Sequence, residues 1–146
     1  VATTRIVRHP AARAVVAERT AYGLLNFGFA VETAWKADVV VRGGHRSFNP
    51  GGPIGGTLRR SIHTAAYLDG VRIGGESADE NGEAPPAYAP GPGPVVIVGT
   101  NSGYGGFVEV GTDKMPARPA GVPALLATRD QAPRLIEAGA ARRVRR

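Results

Sequence analysis

Two glycine- and proline-rich breaks decide most of what this sequence can fold into. Between Gly43 and Gly56, six glycines and two prolines occupy fourteen positions, and Asn49-Pro50-Gly51 is a turn signal. The second break, GGESADENGEAPPAYAPGPGP from Gly74 to Pro94, is dominated by proline, glycine and acids, and a long mobile loop is expected there. Regular structure must therefore come before, between and after these breaks.

Before the first break, Pro10 suits the opening turn of a helix, and Ala11 to Ala37 is alanine-rich and broadly apolar. Val15, Tyr22, Leu25, Phe29 and Trp35 recur at approximately helical spacing, with Glu18, Arg19, Glu32 and Lys36 available for the wet side. Gly23 and Gly28 each cost about 1 kcal/mol in a helix interior, so the pattern predicts a helix with a weak middle. The run Val39-Val40-Val41 fits either the helix end or a short strand. Between the breaks, Thr57 can cap a short helix through Leu58-Arg59-Arg60-Ser61-Ile62. His63 to Tyr67 and Val71 to Ile73 then flank Leu68-Asp69-Gly70, and Asp-Gly between β-compatible runs is a strong hairpin signal.

After the second break, Val95 to Gly99 reads as a buried strand. Tyr104, Phe107, Val108 and Gly111 favour one or two helical turns stopped by the glycine, although Val108-Glu109-Val110 also alternates like a strand. Met115 to Pro119 should be extended. Gly121 to the end carries Val122, Leu125, Leu126, Leu135, Ile136 and Val144 at helical spacing, with a kink or split expected at Pro133. The expected fold is α+β: a small antiparallel sheet packed by an N-terminal and a C-terminal helix, with long Gly/Pro-rich loops. Residues 1 to 146 form one domain, and no internal repeat is visible.

Composition narrows the chemistry. The chain has no cysteine, which excludes disulfides, zinc–thiolate sites and thiol catalysis. No apolar run approaches the roughly 18 residues of a membrane span. The opening VATTRIVRHP lacks an apolar core, so no export signal is expected. His9, His45 and His63 are widely separated and show no metal-ligand spacing, so no metal, cofactor or catalytic residue is expected. Gly51 to Thr57 matches a phosphate-binding loop in glycine content alone, because it lacks the lysine that reaches the phosphates. The acids Glu76, Asp79, Glu80 and Glu83 are too irregular for a calcium loop.

Charge points to neighbours. The formal charge is +6, carried mostly by arginine, with Lys36 and Lys114 the only lysines. Arg142, Arg143, Arg145 and Arg146 crowd the last five positions; they are either a solvated helix end or a contact to DNA or an adjacent protein. Arg59 and Arg60 stand between the apolar anchors Leu58 and Ile62, while Glu109 stands between two valines before a Gly-Thr turn. Glu109 is thus either a partner for an arginine, within the chain or across a subunit boundary, or a simple exposed strand acid.

Three segments, in order, carry a resemblance: GGTLRRSI (Gly55 to Ile62), VGTNSGYGGFVEVGT (Val98 to Thr112) and KMPARPAGVPAL (Lys114 to Leu125). Together they resemble the siphophage head–tail connector family, whose members are called neck, tail-completion or tail-joining proteins. The chain departs from that pattern at Ala120-Gly121, where an aromatic usually precedes the final helix. The resemblance implies a non-enzymatic subunit of a ring, expected to be hexameric, in the virion neck or tail. Such a ring is assembled in the host cytoplasm and passes DNA through its channel without reading sequence. Its partners are copies of itself, head-closure or adaptor proteins, and tail-tube proteins; head closure, tail completion and tail termination are its possible levels.

The expected subunit or partner interface comprises Leu58, Arg59, Arg60, Tyr88 and Glu109. Within the second break, Tyr88 among prolines is an apolar anchor with a polar tip, suited to docking on a neighbouring subunit. The alternative is a small basic nucleic-acid-binding module, although Phe48, Tyr67, Tyr88 and Tyr104 do not form an interleaved aromatic and basic platform.

Overall fold

A computed structural model describes residues 10–42, 57–75, 91–100, 102–114 and 116–142. In chain order the elements are α1 (Pro10–Arg42), α2 (Thr57–Ser61), β1 (Ile62–Leu68), β2 (Val71–Gly74), β3 (Pro94–Thr100), α3 (Gly105–Val110), α4 (Gly121–Thr128), a 3-10 turn (Arg129–Gln131) and α5 (Ala132–Arg142). The architecture is the expected one, an antiparallel three-stranded sheet packed by an N-terminal and a C-terminal helix. Most of the first break, Gly43 to Gly56, and most of the second, residues 76 to 90, lie outside the described residues.

α1 is one continuous helix of 33 residues, and Val39 to Val41 belong to its end. Its glycines are contact points and not a weak middle. Gly23 lies against the α5 backbone: a Cβ there would stand 2.5 Å from the Ile136 carbonyl oxygen. Gly28 lies against the sheet, where a Cβ would stand 2.5 Å from Thr64 Cγ2 and 2.7 Å from Val96 Cγ2. At about 100° per residue the two positions sit roughly 140° apart around the helix, so α1 is gripped from two sides. This grip offsets the glycines' low helix propensity. The buried stripe is Ala21, Gly23, Gly28, Val31 and Trp35; of the expected positions Trp35 is buried, Tyr22 and Leu25 are half-buried, and Val15 and Phe29 are about half exposed.

The sheet order is β2-β1-β3. Every residue from Ser61 to Tyr67 is buried, as expected for a central strand. β1 pairs with β3 without a break, from Ile62 opposite Thr100 to Leu68 opposite Pro94. Ile62, Thr64 and Ala66 share one face with Val98 and Val96, and the Thr64 hydroxyl donates to the Gly28 carbonyl oxygen at 3.2 Å. That bond locks α1 across the strand.

The hairpin between β1 and β2 forms at Asp69-Gly70, both with positive φ (50° and 80°), the combination a type I′ turn requires. Asp69 also ties in β3: its Oδ1 accepts the Gly93 N–H at 2.8 Å, and its own N–H donates to the Gly93 carbonyl at 3.2 Å. Asp69→Ala should therefore destabilise the fold by about 1 kcal/mol, through one lost hydrogen bond and an unfavourable left-handed alanine. Asp69→Asn should be close to neutral. Urea denaturation of the two variants checks the difference; equal midpoints would contradict it.

At the C-terminal end, the expected long helix is split. α4 ends at Thr128, whose hydroxyl turns back onto the Ala124 carbonyl at 2.9 Å, and a 3-10 turn leads into α5. Pro133 occupies the first turn of α5, where its missing N–H removes no helical bond. α5 then crosses α1 through glycine on both sides. A Cβ on Gly139 would stand 2.7 Å from Asn26 Cβ, 2.8 Å from the Tyr22 carbonyl oxygen and 2.9 Å from Gly23 Cα. The Asn26 amide fixes the register by donating to the Leu135 carbonyl at 2.7 Å.

Candidate functional site

The three segments that carry the resemblance meet in space. α2 ends at Ser61, whose hydroxyl lies 2.5 Å from that of Thr100 at the end of β3 and also donates to the Leu58 carbonyl at 2.9 Å. Gly105, the first residue of α3, is buried against the Thr100 methyl; a Cβ there would also lie 3.4 Å from Leu58 Cδ1. Leu58 is thus a half-buried peg that joins α2 to α3, while Arg59 and Arg60 are exposed on the same short helix.

α3 runs from Gly105 to Val110 and stops at Gly111, whose φ of 78° favours glycine and whose N–H donates to the Phe107 carbonyl at 2.8 Å. The helical alternative for this segment is the one that forms. The chain then returns, and Arg118 N–H donates to the Val108 carbonyl at 2.7 Å. This return brings Glu109 to the start of α4. Its Oε1 accepts the N–H of Ala120 at 3.1 Å and of Gly121 at 2.9 Å, and its Oε2 shares the Ala120 N–H at 3.2 Å. A carboxylate here satisfies amides that have no helical acceptor and complements the positive end of α4.

These bonds give Glu109 main-chain partners within the chain. Among the described residues, the carboxylate is engaged by main-chain N–H groups and by neither Arg59 nor Arg60. Main-chain donors of this kind leave no mark in the sequence.

Beside this cap lies a pocket of about 420 Å³ between α1, β3 and α4. Phe27, Val31, Trp35, Val98, Val122 and Leu125 line it, with Glu109 at its edge. Trp35 is 92% buried, and its Nε1 has no hydrogen-bond partner among the described residues. Its ring packs on Gly121, where a Cβ would come within 2.9 Å of Cζ2. Val122 and Leu125 of the pocket wall are exposed, as are Leu126 on α4 and Val110 and Phe107 on α3. Sequence reasoning treated Trp35 as one more helix position; its being the sole tryptophan was the available signal.

Other expected site residues fall elsewhere. Arg142 is the last residue of α5, and Arg143, Arg145 and Arg146 lie outside the described residues, as does Tyr88. Among the described residues, no cluster of three or more histidines and carboxylates could hold a metal ion, and no helix is long and apolar enough to cross a membrane. No protein-family model, curated protein or solved structure matches the chain.

Proposed function

We propose that this protein is a structural ring subunit of a tailed-phage neck, which completes the tail or joins it to the head around the DNA channel. The observation that carries this reading is the convergence of the three resembling segments in one block. Ser61 with Thr100, Leu58 with Gly105, Val108 with Arg118, and Glu109 with the start of α4 hold them together. The ordered pattern thereby describes a built scaffold. Around that scaffold the surface offers exposed arginines on α2 and exposed apolar side chains on α3 and α4. Exposed apolar side chains and arginine are both residue types enriched at subunit interfaces.

In this reading the partners are copies of the same chain, head-closure or adaptor proteins on one side, and tail-tube proteins on the other. DNA passes through without sequence recognition, and the product resides in the virion. Arg59 and Arg60 contact a neighbouring subunit. Arg59→Glu and Arg60→Glu should therefore lower assembled material at least tenfold, and Arg59→Glu should do so while shifting monomer stability by no more than about 0.5 kcal/mol, as for exposed charges elsewhere. Sedimentation velocity of the wild-type chain and both variants tests this. Wild-type species several times the monomer mass, lost in the variants, are expected. A wild-type monomer that binds duplex DNA with steep salt dependence would support the nucleic-acid-binding module instead.

A further inference from the structure

We propose that the sheet is completed in trans: an extended strand of a different protein pairs with the outer edge of β3 and places apolar side chains in the pocket between α1 and α4. The strand it takes alternates apolar and polar residues and is led by an acid. Hydrogen-bond direction, the space beneath the edge and charge each support this.

The Asp69 N–H donates to the Gly93 carbonyl, and these two residues continue the register that sets Leu68 opposite Pro94. Facing residues of an antiparallel pair alternate between bonded and non-bonded, so Val95, Ile97 and Gly99 bond to β1. Val96, Val98 and Thr100 therefore turn their N–H and C=O groups away from β1. On that side the sheet has no further strand among the described residues. A row of such groups is a template for another extended chain. Nothing in β3 guards it: the strand has seven residues, no charge and an unbroken register, with proline confined to its first position. The opposite edge is guarded, because β2 has four residues, an exposed Arg72 and a register shift against β1.

The space beneath this edge fits the same occupant. Facing residues of paired strands share a face, so those opposite Val96 and Val98 point where the two valines point. Both valines lie against Gly28 of α1 and line the pocket of about 420 Å³. Phe27 and Val31 stand about 100° and 60° around α1 from Gly28, on one flank, and with Val122 and Leu125 of α4 they form its floor. The helix layer thus reaches one strand further than the sheet does. A fourth strand fills that space and covers Val122 and Leu125, which are 61% and 45% exposed.

Charge sets the end at which the strand starts. α2 meets β3 at Thr100, through the Ser61 and Thr100 hydroxyls, and its exposed side chains include Arg59 and Arg60. An antiparallel strand enters at that end, so an acid at its start complements the arginines. The donor is a different protein because neither described edge of a copy can serve. The β2 edge is guarded, and two β3 edges paired about a two-fold axis would drive each α4 into the other copy's helix layer.

Hydrogen exchange on the purified wild-type chain gives the baseline: the Val96 and Val98 amides should exchange fast and the Ile97 amide slowly. The probe is a synthetic, end-blocked peptide led by glutamate, in which two valines alternate with threonines. Saturable slowing at the Val96 and Val98 amides is expected. A matching change in emission should come from Trp35, the sole tryptophan and part of the pocket wall. Methylating the two valine nitrogens of the peptide removes its donors and keeps its side chains; replacing the valines by alanine does the reverse. Each change should weaken binding about tenfold or more. Lysine in place of the leading glutamate should weaken it several-fold. Val96 and Val98 amides already protected in the chain alone would show the edge paired by a copy and overturn the proposal. So would exchange unchanged by saturating peptide, or undiminished binding of the methylated, alanine or lysine-led peptide.

Discussion

Gly139→Leu should lower the melting temperature by about 10 °C, although propensity alone predicts the opposite sign. In an isolated helix, replacing an interior glycine gains up to about 1 kcal/mol. Here the new Cβ meets Asn26 Cβ, the Tyr22 carbonyl and Gly23 Cα, all under 3.0 Å away. Two of these are backbone atoms of α1, so nothing can swing aside, and the helices must separate along their whole contact. Overpacking of this kind typically costs 1–3 kcal/mol, and the branched side chain puts the net loss near the upper end, roughly 3 kcal/mol. For a domain of this size that corresponds to roughly 10 °C. Ala138→Leu, one residue earlier and exposed, is the control and should change little. A stabilised Gly139→Leu would show that α1 and α5 do not cross as closely as described.

Glu109→Ala should destabilise the fold by roughly 2–3 kcal/mol. The carboxylate accepts from two N–H groups at the start of α4, and Ala120 is only 4% exposed. Its removal strands a buried donor and discards charge-assisted bonds worth about 1.5–3 kcal/mol. Glu109→Gln keeps an acceptor oxygen and should recover about half of the loss. Urea denaturation gives the magnitudes. Hydrogen exchange at Ala120 and Gly121 locates the effect, because only those amides should lose protection without global unfolding. Equal stability of wild type and Glu109→Ala would mean that Glu109 is spare for an arginine after all.

The elements legible in the sequence were those set by local stereochemistry. Asp69-Gly70 demanded two positive φ angles, Gly111 a left-handed stop, and Pro133 a break in the last helix; each acts where it stands in the chain. What local rules could not reveal was what distant residues do to one another. Gly23 and Gly28 look like defects in a single helix and become assets only when Ile136 and Thr64 arrive from the far end of the sequence and from the sheet. The valine run at 39 to 41 has no periodicity of its own, and its helical fate follows from continuing α1. Half of the candidate site was legible in the same sense. Leu58, Arg59 and Arg60 do lie together on a short helix, with the arginines exposed. The partner of Glu109 and the pocket around Trp35 depend on the chain returning from Arg118 to Gly121, a path fixed by the Arg118–Val108 main-chain bond and by the Glu109 carboxylate on the Gly121 N–H.

A head-to-tail contact that fits a neck closes on itself, whereas the same kind of contact with the wrong rotation grows into an open filament. Electron microscopy of negatively stained, purified protein distinguishes these outcomes in one experiment. Closed rings of six copies around an axial opening wide enough for duplex DNA are predicted. Dispersed monomers, or filaments without closure, would contradict the proposed function.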